Sequence, residues 1–231
     1  MTGPIKGLIF DKDGCLFDFN ATWGGFTAAL LRQETRDVPD MLVPLADALG
    51  YDLTTATFRK DSLVIAGTAD EVVAATLPFV PETSAAALLE RFKVASMTAP
   101  QIEVTPLAPL FTRLRAAGFT LGIATNDAEG PARANLRSVG IEGHFDFIAG
   151  FDSGYGGKPA PGQLLGFCDT TGLAAQDCVM IGDSTHDLHA GRGAGMITVG
   201  VLTGVATRDD LAPHADHVFG SIAEIPQWLG L

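Results

Sequence analysis

The sequence predicts an α/β fold: a doubly wound, mostly parallel sheet carrying one inserted helical domain. Three observations predict it. Six short apolar or β-branched runs lack the polar–apolar alternation of half-exposed strands, as strands buried on both faces do. Helix-like stretches that stop at a glycine separate most of these runs. A long segment after the first run holds helix-like stretches only.

Taken in order, residues 5–10 form the first strand and run into Asp11. From about residue 20 to 98 no strand is expected. Helix-like runs lie at 22–35, 39–49, 55–65, 70–77 and 84–96, punctuated by Pro39, Pro78, Pro81 and the break Ala66-Gly67-Thr68. Residues 107–117 place Leu107, Leu110, Phe111 and Leu114 on one helical face and stop at Gly118. A strand at 119–125 and a helix at 128–139, ended by Gly140, follow. Next come a strand at 145–149, a helix at 161–171 ended by Gly172, a strand at 178–182 and a helix at 187–194 ended by Gly195. Strands at 197–202 and, more weakly, 217–219 complete the set, and Ser221-Ile222-Ala223-Glu224 reads as a capping box before a last short helix. Alternating strand and helix implies a parallel sheet. The expected division is a core of residues 1–19 and 98–231 and an insertion of residues 20–97, placed to close over the carboxyl edge of the sheet.

Composition narrows the partners. The chain has 231 residues, 47% of them hydrophobic and 18% charged, enough for a packed core and too little charge for disorder. A formal net charge of −12 disfavours nucleic acid and anionic membranes, so neither is an expected partner. A small phosphorylated molecule stays compatible, because one cation and a few donors reverse the field inside a cleft. Three cysteines, Cys15, Cys168 and Cys178, form no C-x-x-C pair and suggest neither a disulfide framework nor a zinc site. Residues 1–10 are too short and too soon broken for a signal peptide, and no run approaches the length of a membrane helix. A cytoplasmic monomer or homodimer is expected, an apolar insertion being able to bury a dimer contact.

The chemistry-bearing residues gather at strand ends, the ligand-binding edge of open α/β sheets. Asp11-Lys12-Asp13-Gly14-Cys15-Leu16-Phe17-Asp18 fans two carboxylates around the end of the first strand, with Gly14 permitting a sharp turn. Taken alone, a solvated acidic turn explains them equally well. Thr125-Asn126-Asp127 brings a hydroxyl and an amide to a strand–helix junction, or simply caps the next helix. Asp183-Ser184-Thr185-His186-Asp187 supplies two more carboxylates, or an N-cap acid and a first-turn acid favoured by the helix dipole. Lys158 precedes Pro159-Ala160-Pro161, Pro161 opening a helix; a lone surface lysine is the alternative. Together they provide carboxylates for a hard cation and donors for a phosphoryl group.

These four segments, in order and spacing, resemble the four motifs of the haloacid dehalogenase-like hydrolase superfamily, and the helical insertion resembles its first type of cap domain. The resemblance covers the whole chain and implies a Rossmann-like core with a helical cap. It implies Asp11 as a nucleophile forming an aspartyl-phosphate, and Asp13 as the acid and base that serves both steps. It implies Mg²⁺ held by Asp11, the Asp13 backbone carbonyl, Asp183 and Asp187, and phosphoryl oxygens held by Thr125, Asn126 and Lys158. The acid at Asp13 separates the phosphoryl-transfer branches from the dehalogenase and phosphonatase branches. The expected enzyme is a phosphatase acting on a small phosphorylated metabolite, similar to the phosphoglycolate phosphatase group. A phosphosugar mutase of the β-phosphoglucomutase kind, a phospho-aspartate signalling receiver and an inactive binding protein are the alternatives. Cys15 stands where a threonine is usual, and a thiol there is expected to loosen the loop.

Other features carry less. Gly156-Gly157-Lys158 fails as a Walker A loop, since Pro159 replaces the Ser or Thr. Cys15 as a nucleophile lacks a neighbouring histidine in sequence. His186 and His189 read as residues of an exposed helix start, and His144, His214 and His217 show no ligand spacing. Arg32, Arg36, Arg59 and Lys60 are among the insertion's cations; one of them could meet a substrate carboxylate, while most read as solvated surface charges, and Trp23 reads as cap packing ahead of a substrate platform.

Overall fold

The computed structural model describes residues 4–80 and 83–231, the side chain of Ala66 excepted. The expectations at residues 1–3 and at Pro81 lie outside the described residues. In chain order, β1 (Gly7–Phe10) leads into an insertion of α1 (Phe19–Glu34), α2 (Leu42–Ala48), a hairpin of β2 (Tyr51–Asp52) and β3 (Thr57–Phe58), α3 (Leu63–Ala66), α4 (Ala69–Thr76) and α5 (Ala85–Ser96). Then follow α6 (Leu107–Ala116), β4 (Thr120–Ala124), α7 (Glu129–Ser138), β5 (Phe147–Ala149), α8 (Gly162–Thr171), β6 (Cys178–Gly182), α9 (Thr185–Ala194), β7 (Ile197–Val201), α10 (Arg208–Leu211), β8 (His217–Phe219) and α11 (Ile225–Trp228).

The main sheet has the order β5-β4-β1-β6-β7-β8, and every pairing in it is parallel. All four residues of β1 and all five of β6 are buried, which is why neither strand alternates in sequence. The chain runs outward from β1 to β4 and β5, then crosses back to β6 on the other side of β1. That reversal is a topological switch point, where such sheets open a crevice at the carboxyl ends of their strands. Phe10 pairs with Ile123 and with Ile181, so the residues that follow, Asp11, Thr125 and Asp183, emerge along one edge. Leu8, Phe10, Leu121, Ile123 and Ile181 face α6 and α11 in one buried cluster; Ile9, Ala124 and Met180 face α8 and α9, with Phe167 of α8, in another.

The six expected core strands form within one or two residues of their expected bounds, and α8 and α9 end at Gly172 and Gly195 in left-handed conformation. Two expectations fail. Residues 55–65 are not a helix. Gly50 turns the chain after α2, and Asp52 Oδ1 accepts the N–H groups of Thr54 (2.7 Å) and Thr55 (3.3 Å), folding the segment into the β2–β3 hairpin. Only α3 remains helical there, capped by Ser62. The Ser221 capping box is also incomplete. Ser221 Oγ accepts from Ala223 N–H, but Glu224 Oε1 accepts from Gly220 N–H (2.7 Å), one residue too early for the reciprocal bond.

The insertion carries its own buried cluster, with Phe19, Leu31, Leu45, Leu49, Tyr51 and Phe58 at its centre. Tyr51 fixes the hairpin to α1 by donating from its hydroxyl to Gly24 O (2.5 Å). Among the described residues no helix is long and apolar enough to cross a membrane.

Candidate active site

Three carboxylates converge at the end of β1. One ligand oxygen each of Asp11, Asp183 and Asp187 lies within 4.8 Å of the others. Asp11 follows β1, and its N–H continues the ladder to Ile181 O (2.8 Å). Asp187 comes from the first turn of α9. Its Oδ2 accepts from Ser184 N–H (3.0 Å) and Oγ (2.7 Å), so it also serves as the helix's capping acid. Its Oδ1 accepts from Lys158 Nζ (2.6 Å), which also reaches Asp11 Oδ1 (2.8 Å). Among the described residues Asp183 pairs with no lysine or arginine within salt-bridge distance. It is instead walled by glycines: Gly14, at φ +76°, approaches so closely that a Cβ would strike the Asp183 carboxylate, as would one at Gly204.

The electrostatics follow from that census. Burial, with the neighbouring Asp187 and Asp13 charges added, raises the Asp11 carboxyl to about 7 even though Lys158 opposes the shift. Burial and the charges of Asp187 and Asp11 push Asp183 well above the carboxylate range. Lys158 is buried too, yet Asp11 and Asp187 outweigh its desolvation and hold it above the usual lysine value. Three buried carboxylates against one lysine leave an excess of negative charge. An all-oxygen donor set of this kind fits a hard divalent cation.

A second buried network lies alongside. Lys12 is fully buried, and its Nζ reaches Asp13 Oδ2 (2.7 Å), Asp127 Oδ2 (3.4 Å) and Asn135 Oδ1 (3.2 Å). Burial lowers its proton affinity, but Asp13 and Asp127 outweigh burial and raise it. Trp23 of α1 donates from Nε1 to Asp13 Oδ1 (2.8 Å), and its ring lies 5.3 Å from Lys12 Nζ. Both carboxylate oxygens of Asp13 are therefore engaged, one by the core and one by the insertion. Sequence reasoning missed Lys12 and Asn135, and it ranked Trp23 as cap packing ahead of a substrate platform. Trp23 packs edge-on against Phe26, as cap packing would have it, but it also reaches the site.

The remaining predicted residues are placed as follows. Thr125 is buried, and its Oγ1 accepts from Asp127 N–H (3.1 Å). The side chain of Asn126 clamps the Lys158 backbone from both ends, donating to Lys158 O (2.9 Å) and accepting from Lys158 N–H (2.7 Å). Its side-chain bonds thus hold the lysine loop. Neither Asn126 nor Asp127 caps α7: Ala128 is the N-cap residue, and Asp152 Oδ1 on another loop accepts the Glu129 N–H (2.9 Å). The loop that carries Cys15 is closed by hydrogen bonds. Gly14 N–H to Phe17 O (2.8 Å), Leu16 N–H to Lys12 O (2.9 Å) and Thr203 Oγ1 to Gly14 O (2.6 Å) knit it together. Burial pushes the Cys15 thiol well up, away from a reactive thiolate.

Asp11, Asp13, Thr125, Asn126 and Lys158 open into a cavity of about 150 Å³ that extends into the insertion. None of Arg32, Arg36, Arg59 and Lys60 lines it. Arg32 donates to Ala28 O in its own helix, Arg36 pairs with Asp37, Arg59 with Asp47, and Lys60 with Asp210 across to the core.

With this geometry in view, comparison with known proteins identifies the class. Residues 5–195 match the family model described as haloacid dehalogenase-like hydrolase. The chain belongs to that family and, within it, to the phosphatases. It is 30% identical over 233 residues to the phosphoglycolate phosphatase of Rhodospirillum rubrum, covering 97% of this chain and 91% of that one. Its fold is similar to that of a predicted phosphoglycolate phosphatase from Haemophilus somnus (TM-score 0.74, 18% identity, 99% of both chains). It is also similar to that of β-phosphoglucomutase from Clostridium difficile (TM-score 0.66, 21% identity, 98% of this chain and 97% of that one). At those identities the two likenesses concern the fold alone.

Proposed function

We propose that the chain hydrolyses a small phosphomonoester through an aspartyl-phosphate on Asp11, with Mg²⁺ as its ion. The observation that carries the reading is the buried set of Asp11, Asp183 and Asp187, balanced among the described residues by Lys158 alone. Mg²⁺ held by Asp11, Asp183, Asp187 and the Asp13 backbone carbonyl would supply the missing positive charge, keep Asp11 ionised and neutralise phosphoryl oxygens.

Asp11 attacks phosphorus from the end of β1, the bond from phosphorus to the leaving oxygen breaks, and Asp13 protonates that oxygen. Asp13 then takes a proton from water as the water attacks phosphorus, and Asp11 is released with inorganic phosphate. Lys158 and the Thr125 hydroxyl, whose oxygen already accepts the Asp127 N–H, donate to phosphoryl oxygens. Asn126 serves by holding Lys158 at its backbone. Residues 20–97 act as a cap on a core of residues 1–19 and 98–231, in keeping with the buried cluster around Leu31, Leu45 and Tyr51. The three free cysteines suit a cytoplasmic location.

The test is phosphate release from a panel of phosphorylated metabolites, phosphoglycolate included, with Mg²⁺ and with a chelator. Release that depends on Mg²⁺ supports the reading; release indifferent to the chelator refutes the metal's part. Isomer formation without net release would reassign the chain as a phosphosugar mutase.

A further inference from the structure

We propose that the organic part of the substrate is uncharged and apolar, no larger than about one aromatic ring or a branched alkyl chain. This rests on the phosphatase reading above and narrows its substrate.

The cavity is chemically divided. At the sheet edge Asp11, Thr125, Asn126 and Lys158 make a polar end suited to the phosphoryl group. The remainder is walled by the insertion, chiefly by Phe26, Leu30, Val64, Ile65, Val72 and Phe92. A substrate with a second carboxylate or phosphate would need a cation there. The only lysine or arginine lining the cavity besides Lys158 is Lys93, among the described residues. Lys93 Nζ is already paired with Asp152 Oδ2 (2.9 Å) and lies 5.7 Å from the Phe151 ring centre. His186 sits in the first turn of α9, on the core side. The other charges on the wall, Asp13 and Asp127, are acidic and would repel a second anion. Stripping water from an unpaired anion in such a place is heavily penalised.

Sugar hydroxyls fare little better. Of the hydroxyl side chains on the insertion's side, Ser96 Oγ already donates its proton to Lys93 O (2.9 Å) and can only accept, which leaves Thr27 as the hydroxyl donor. The whole cavity, its polar end included, measures about 150 Å³, the volume of an apolar cavity known to admit benzene, which sets the upper limit on the organic group. Shape, wall chemistry and charge therefore select the same kind of group.

The test uses the Mg²⁺-loaded protein and esters whose leaving alcohols have similar acidity: benzyl phosphate, isobutyl phosphate, phosphoglycolate and a hexose phosphate. The expected kcat/KM for benzyl phosphate exceeds that for phosphoglycolate by at least about 100-fold, since one methylene alone is worth roughly 10-fold or more in such a pocket. Equal or faster turnover of phosphoglycolate or the hexose phosphate overturns the inference while leaving the phosphatase reading intact. Release from none of the four overturns the phosphatase reading itself. A Val72→Arg variant, which puts a guanidinium into the wall, should lower the benzyl-to-phosphoglycolate ratio by about 10-fold or more. An unchanged ratio in the folded variant counts against the inference, and the unmodified protein decides the question if the variant does not fold.

Discussion

Replacing Lys12 with methionine removes a buried cation and leaves its length of apolar chain in place. In the native protein Lys12 Nζ lies 2.7 Å from Asp13 Oδ2 and 3.4 Å from Asp127 Oδ2, with its side chain fully buried and those of its partners only 16% and 15% exposed. Burial already pushes the Asp127 carboxyl up, with Lys12 opposing the shift. Without Lys12, two adjacent and mostly buried carboxylates face each other uncompensated. Breaking a buried pair from one side typically costs about 3–5 kcal/mol. For a chain of this length, that corresponds to a fall in Tm of about 6–20 °C.

The signature is in the pH dependence. In the variant, which lacks the Lys12 charge that opposes the shift, the native state binds a proton at Asp127 more tightly than the unfolded chain does, so stability should recover as pH falls. Thermal melts at about pH 7.5 and about pH 5 should show most of the loss at the higher value. A second change, Asp127→Asn, should restore part of it at both. A variant within about 1 kcal/mol of the unmodified protein at neutral pH would refute the view that Lys12 balances these acids.

Two further outcomes follow from the same geometry. Trp23→Phe keeps the packing against Phe26 but deletes the Nε1 bond to Asp13; it should cost about 10-fold in kcat with little change in Tm, and an unaltered kcat would show that Asp13 needs no help from α1. Metal-free protein should lose stability as pH rises from 3.8, the ordinary value for an aspartate, to about 7, because the native state holds the Asp11 proton that the unfolded chain releases. Mg²⁺ should abolish that slope, so the Tm gained on adding Mg²⁺ should grow between about pH 5 and about pH 8, whereas a constant gain would contradict the charge balance described.

The core was legible because its signals are local. Buried parallel strands read as short apolar runs, glycine stops mark the helix ends, and Asp11, Thr125 and Asp183 each directly follow a core strand. The β2–β3 hairpin was not, since two-residue strands are too short to show alternation; Gly50 and the Asp52 turn were its only signals. Lys12 could have been found. If Asp11 and Asp13 point one way from the strand end, the residue between them points into the protein, and a lysine there must find acids. Trp23 could not, because its bond to Asp13 is set by how α1 lies across the sheet edge. The cap cations behave as the surface charges that most of them were read to be: Arg59 and Lys60 follow the hairpin, paired with Asp47 and Asp210 and absent from the cavity lining.

The central claim is that Asp11 is the group that takes the phosphoryl. Acid-quenching a turnover reaction with Mg²⁺ and mapping the peptide that spans Asp11 tests it most directly. A phosphoryl group on that peptide, lost together with phosphate release in Asp11→Asn, is the predicted result. Undiminished release by Asp11→Asn, or a phosphoryl group on any other residue, would contradict it.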